Sequence, residues 1–355
     1  MATATITEIG ASCKLFLKGE DVKYGDFRDD LIRDGFAVVK GAIPRDRADK
    51  YVDQMYTWLE DFGLGFKRDD PSTVRNEHMP IISEKGMCAG YGLPHEKFTW
   101  DIRCEPGVVG AFEKVYETSD LIVSFDAVNF TFPNRTDLKP NSPWPHQDQD
   151  PEKSGFRCLQ GLVNLLPNGP EDGGLIVCKG AHQASQEFHR LFKNEPDRIK
   201  TWTKEWYGFT KTGLKWLDDN GFKWEKVCAE PGDLILWDSR TPHYNLSPSG
   251  QTPRFAAYTC YLPVAEVSQE DLLRKKKAFE SMDNPYCICS SQFTDSLLLD
   301  CQSTTHWPNA VQDITMPLLR DGVEDPLNFR VPKSGPPQLS ERGYKLTGIP
   351  YIKSA

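Results

Sequence analysis

Three short stretches carry side chains whose types and spacing could hold a metal ion and an acid. The first is Trp144-Pro145-His146-Gln147-Asp148. On an extended backbone, residues two apart project to the same side, so His146 and Asp148 can reach one cation. Alone this triplet is weak, since an acidic chain with seven His produces H-x-D by chance and an ordinary surface pair explains it as well. The second stretch is Pro231-Gly232-Asp233-Leu234-Ile235-Leu236-Trp237-Asp238, continuing through Ser239-Arg240-Thr241-Pro242 to His243. Here a turn feeds an apolar strand that delivers a histidine at its far end, where a lone histidine is more often structural. The third is Arg254, eleven residues beyond His243, opening the strand RFAAYTCYL. An arginine that begins an otherwise buried strand needs a carboxylate partner, because an unpaired interior charge is costly. An internal acid or a bound dicarboxylate would serve equally.

Taken together the three say more. Two imidazoles and a carboxylate make the facial triad of non-haem iron(II), which leaves open positions on the opposite face. A 2-oxo acid would fill two of them and O2 the third, with Arg254 gripping the distal carboxylate of the oxo acid through charge-assisted contacts. Zinc generally takes a tetrahedron of N and S ligands, so the set favours iron. Two readings from other classes stay open: a non-catalytic jelly-roll binding protein and a zinc-dependent hydrolase on a cupin-like barrel.

The elements that must position these residues are legible in outline. Phe36 to Ile43 reads as a strand, and Pro44 opens an amphipathic helix with Ala48, Tyr51, Val52, Met55 and Leu59 on one face. Residues 65 to 100, rich in Gly, Pro and charge, read as a long irregular lid. Pro106 begins a second helix with Val108, Val109, Phe112, Val115 and Tyr116 apolar. From Leu121 the pattern becomes short β-type runs, LIVSFDAVNFTF, RCLQGLVNLL, LIVC, DLILWD and RFAAYTCYL, separated by Gly, Pro and Asn turns. Such a series predicts a mainly β, antiparallel sandwich or jelly roll with flanking helices. Residues 183 to 226 interrupt it as a helical or irregular insertion carrying Trp202, Trp206, Trp216 and Trp224. One domain is expected over 1–355: an N-terminal strand, helices and lid (26–120), a core (121–264), and a C-terminal helix with a wrapping tail (265–355).

Composition narrows the classes. A hydrophobic fraction of 39% supports a packed core. A net charge of −9 argues against nucleic acid as a partner, which needs clustered Lys and Arg. The one dense cationic run, Arg274 to Lys277, follows Ser268 and Asp271 and reads as a capped helix with a solvated face. Met1 to Gly10 lacks the pattern of an export signal, no apolar run approaches a membrane span, and the ten Cys are irregularly spaced. A reducing, cytoplasmic setting with free thiols is expected. The lone C-x-C of Cys287 and Cys289 lacks the second pair of a zinc site. His78, His95 and His306 read as surface or packing residues.

At this point the chain resembles the phytanoyl-CoA dioxygenase family. The resemblance rests on the order H-x-D, then GLVNLLPNGPEDGGLIVCKGAH, then PGDLILWDSRTPH, then Arg254, with DGFAVVKGAIPRDRADKY similar to the family's opening strand and helix. It covers about residues 26 to 263, and the stretches GYGLPHEKFTWDIR and LIVSFDAVNF look closer to microbial natural-product members. The resemblance implies a double-stranded β-helix core, iron(II) held by His146, Asp148 and His243, and 2-oxoglutarate held by Arg254. It also implies O2-dependent oxidation of a small molecule by hydroxylation, desaturation or cyclisation, with succinate and CO2 released. Where family members often place a small polar residue to assist the same carboxylate, this chain has the longer Asn245. His182 matches a position that is structural in the family. Asp148 sets the chain apart from related halogenases, where a missing carboxylate makes room for chloride. The absence of a cationic cluster near the motifs favours an amino acid or natural product over an acyl-CoA. Trp144 and Phe156 flank the triad as candidates to line the pocket, although packing is the more common fate of such residues.

Overall fold

The computed structural model describes residues 23–139, 141–153, 155–198, 205–282, 318–327, 330–333 and 335–353. Met1 to Gly10, Trp202, Cys287, Cys289 and His306 lie outside the described residues. Two antiparallel sheets face each other. The larger contains β1 (Phe36–Val39), β2 (Met87–Cys88), β4 (Val128–Thr131), β6 (Leu159–Asn164), β10 (Leu234–Asp238) and β12 (Arg254–Tyr258), in the order β1-β10-β6-β12-β4-β2. The smaller contains β5 (His146–Gln147), β7 (Gly174–Lys179), β8 (Tyr207–Gly208), β9 (Lys223–Lys226) and β11 (His243–Leu246), in the order β8-β5-β11-β7-β9. A separate pair joins β3 (Leu121–Val123) to β13 (Tyr261–Pro263). This is the jelly roll that the strand series predicts, with LIVSFDAVNFTF and RFAAYTCYL each divided between two strands.

The four inner strands of the larger sheet, β4, β6, β10 and β12, are buried on both faces, and the two-residue period decides what each face meets. On β12, Phe255 and Ala257 join the main core on the helix side, while Arg254, Ala256 and Tyr258 have the opposite parity, and Ala256 and Tyr258 pack between the sheets. On β6, Val163 faces the helices and Leu162 the interior; on β10, Leu234 and Leu236 face the helices and Ile235 and Trp237 the interior. The smaller sheet answers with Leu175 and Val177. Gln160 and Asn164 share the parity of Leu162, so polar side chains sit on an otherwise apolar inner row.

Helices cover the outer face of the larger sheet. In α2 (Arg45–Glu60) the buried residues are Ala48, Tyr51, Met55, Trp58 and Leu59, at helical spacing, with Val52 half-buried beside them. Pro106 sits at the first turn of α4 (Pro106–Tyr116), where a missing N–H costs nothing, and Val108, Val109, Phe112, Val115 and Tyr116 are buried. The helix α7 (Gln269–Ser281) begins as read, with the Ser268 side chain accepting from the Asp271 N–H.

Three expectations change. Residues 65–100 are irregular over most of their length, but they also carry regular structure: Met87–Cys88 adds an edge strand to the larger sheet and Lys97–Arg103 forms a mostly buried helix, α3. The C-terminal segment pins the stretch, with the Tyr91 hydroxyl donating to Asp325 at 2.8 Å and Arg320 donating to the carbonyls of Asn76 and Met79. The insertion is not only helical or irregular: beyond α5 (Ser185–Leu191) and α6 (Lys211–Asp219), it supplies both edge strands of the smaller sheet, β8 and β9. In the cationic run of α7, Lys275 is not on a solvated face but fully buried, donating to the Val123 carbonyl beneath the helix.

Candidate metal centre

Backbone pairing builds the centre. His146 and His243 are direct partners across β5 and β11, which places their imidazoles on one face with ring centroids 4.3 Å apart. Asp148, two residues beyond His146, brings Oδ1 to 3.6 Å from His146 Nε2 and Oδ2 to 3.4 Å from His243 Nε2. All three side chains are buried, and one ligand atom from each lies within 4.8 Å of the others.

The tautomers suit a metal. His146 Nδ1–H donates to the Trp144 carbonyl at 3.1 Å and His243 Nδ1–H to the Thr241 carbonyl at 2.9 Å. A carbonyl can only accept, so both Nε2 lone pairs face the centre. Burial, followed by the neighbouring His243, pushes His146 down to about 3, leaving a neutral imidazole. Rings wall the pair: Trp144 stacks on His146 at 4.1 Å and 10°, Trp206 lies 5.7 Å from it, and Trp237 lies 5.5 Å from His243. Such a lining excludes water and sharpens every charge inside.

Arg254 opens the inner row of β12 and is 2% exposed. Among the described residues it forms no ion pair, and its Nη1 is buried without a hydrogen-bond partner. Its flank packs on Gly174, which sits at φ 92°. No acid of the described chain supplies the carboxylate that the sequence requires.

The family pattern of phytanoyl-CoA dioxygenase matches residues 31–256. A protein of Aspergillus versicolor, "Ava biosynthesis cluster protein O", is 41% identical over 259 residues, covering 72% of this chain and 83% of that one. The chain belongs to the phytanoyl-CoA dioxygenase family. It is accordingly an iron(II)- and 2-oxoglutarate-dependent dioxygenase, and the donor chemistry of its buried His-Asp-His group fits iron. Among solved structures, the epimerase SnoN, in complex with Fe3+, alpha ketoglutarate and nogalamycin RO, is 19% identical with a TM-score of 0.47, covering 67% of this chain and 82% of its own. EctD from S. alaskensis, with 2-oxoglutarate and 5-hydroxyectoine, is 14% identical with a TM-score of 0.48, covering 70% and 80%. Likeness of that degree leaves the chemistry to the residues.

In this phytanoyl-CoA dioxygenase family member the remaining site residues divide. Trp144 is at the centre, stacked on His146, and Phe156 is in the main core, with the Tyr116 ring 6.4 Å away. Asn245 is buried, but its amide donates to the Lys85 carbonyl at 3.0 Å. Of the insertion's tryptophans, Trp216 packs on Phe188 and Trp224 on Tyr244, while Trp206 reaches His146. His182 is structural, bound to the Ile32 carbonyl, and His95 packs among Trp100, Phe125 and Phe279. Two residues were missed in the sequence. The Lys85 ammonium lies 3.5 Å from the centroid of the Trp144 ring, and Gln160 donates to Asp148 Oδ2 at 2.8 Å. Neither belongs to a motif, and no sequence signal marked them.

Proposed function

We propose that His146, Asp148 and His243 hold iron(II), that Arg254 binds the distal carboxylate of 2-oxoglutarate, and that the enzyme oxidises an unactivated C–H bond of a small molecule. For hydroxylation the balance is substrate–H plus 2-oxoglutarate plus O2, giving substrate–OH, succinate and CO2. Desaturation and ring closure are the other outcomes within this class.

The observation that carries the reading is a buried arginine with no acid partner among the described residues, on the same interior as a buried His-Asp-His group. From the centre, the inner row of β6 steps through Gln160, Leu162 and Asn164, and Asn164 pairs with Ala256, the inward neighbour of Arg254. Small Ala256 leaves room there for a short dicarboxylate whose far end meets the guanidinium and whose oxo-acid end faces the triad. When bound, iron and 2-oxoglutarate supply the oxidant through oxidative decarboxylation of the oxo acid. The chain supplies two neutral imidazoles fixed by backbone carbonyls, a carboxylate fixed by Gln160, and an aromatic wall that keeps water away.

An amino acid or natural product is favoured over an acyl-CoA, and the biosynthesis-cluster name of the Aspergillus versicolor relative supports a role in secondary metabolism. Trp144 and Lys85 border the space open to such a substrate. A cytoplasmic location is proposed on the free thiols of Cys88, Cys104, Cys178 and Cys228. No helix among the described residues is long and apolar enough to cross a membrane. The test is an aerobic screen of candidate metabolites with iron(II) and 2-oxoglutarate, read as substrate-stimulated succinate. Tightly held zinc with no response to 2-oxoglutarate would transfer the protein to the hydrolase reading.

A further inference from the structure

We propose that Gln160 is a positioning residue that decides how Asp148 presents its carboxylate to the metal; this rests on the triad reading above. Gln160 lies on β6 of the larger sheet, and Asp148 follows β5 of the smaller one, so their hydrogen bond crosses the interior and ties the two sheets together at the level of the centre. The side chain is fully buried. Because a carboxylate only accepts, the amide nitrogen must face Asp148, which fixes the orientation of the amide.

The rest of the amide has no structural occupation. Its Oε1 is buried without a hydrogen-bond partner, and its inward neighbours along β6 and β10 are Leu162, Ile235 and Trp237. An amide left half satisfied among apolar side chains is a poor choice for stability alone. What it does reach is one particular oxygen. Asp148 stands between two imidazoles, Oδ1 toward His146 and Oδ2 toward His243. A carboxylate so placed can give a cation both oxygens and use up two positions. Donation from Gln160 to Oδ2 withdraws charge from that oxygen and fixes the plane of the group, leaving Oδ1 as the better ligand. Monodentate binding keeps free the positions that an oxo acid and O2 require.

The experiment measures Co(II) and 2-oxoglutarate binding to the metal-depleted full chain by calorimetry, alongside its unfolding midpoint without metal. Gln160→Met keeps the volume and removes the donor; Gln160→Asn keeps an amide too short to reach. Co(II) affinity is expected to fall roughly ten- to a hundredfold in both, and 2-oxoglutarate affinity of the Co(II) form to fall with it, while the metal-free midpoint of Gln160→Met holds and that of Gln160→Asn, with its amide buried and unpaired, falls. A Co(II) affinity within twofold of wild type, or a loss that follows a lowered midpoint in both variants, overturns the proposal. Failure of the wild type itself to bind Co(II), or of His146→Ala to abolish binding, would instead count against the triad.

Discussion

Arg254 Nε lies 2.8 Å from the point where a β-carbon on Gly174 would stand, and Arg254 Cδ lies 3.1 Å from it. The arginine is therefore seated against a bare backbone, at a residue whose φ of 92° favours glycine in any case. Gly174→Ala should displace the guanidinium and strain the turn together. Stability should fall by about 1–3 kcal/mol, and the apparent Kd for 2-oxoglutarate should rise about tenfold or more, corresponding to one lost charge-assisted hydrogen bond of about 1.5–3 kcal/mol. Calorimetric titration of the variant checks both the site and its support.

Arg254→Met separates function from stability. A buried cation without an acid partner costs the folded state, so an apolar side chain of similar length should leave the unfolding midpoint unchanged or raise it. Binding of 2-oxoglutarate should fall by about two orders of magnitude or more, since the bidentate contact is worth at least about 3 kcal/mol. A midpoint that drops sharply would mean that Arg254 has an internal partner.

Much of the site was legible because strand geometry is simple. The two-residue period puts His146 and Asp148 on one side, and the register that pairs His146 with His243 follows from closing the smaller sheet. Arg254 could be read as a buried charge in need of an acid. Edge strands were not legible: Tyr207–Gly208 is too short to show a pattern, and KWEK in β9 is polar and alternates only against β7. Pairing, not propensity, makes them strands. Lys85, Gln160 and Lys275 act through contacts with distant residues, and a charge run such as Arg274 to Lys277 does not say which member turns inward. Phe156 sits close to the triad in sequence, yet the chain turns it into the helix-side core.

That difference predicts opposite phenotypes for two aromatic substitutions. Phe156→Ala should cost about 3–5 kcal/mol of stability, as for other buried phenylalanines, with kcat/KM of the folded fraction unchanged. Trp144→Leu removes the ring stacked on His146 and beneath Lys85, so KM for 2-oxoglutarate or substrate should rise several-fold with a modest change in midpoint. Steady-state kinetics on both variants distinguish them.

Three histidines, the buried His146 and His182 and the half-buried His189, contribute to the pH dependence of the metal-free chain. Burial lowers all three, His146 to about 3, His189 to about 4, and His182 below its ordinary value. Below about pH 6.5 the unfolded chain takes up protons that the folded chain refuses, so stability falls as the pH drops from there toward the folded values, and these groups contribute no slope above about pH 7.5. His189→Phe, in α5 and outside the triad, should reduce the proton uptake on unfolding at pH 5 by about one. Unfolding midpoints measured from pH 8 to pH 4.5 provide the check.

The central claim is most directly tested by anaerobic titration of the metal-depleted chain with iron(II), with and without 2-oxoglutarate. One iron per chain is expected, with 2-oxoglutarate binding only once iron is present, and both lost in His146→Ala. Iron binding that survives His146→Ala, or 2-oxoglutarate binding indifferent to the metal, would contradict it.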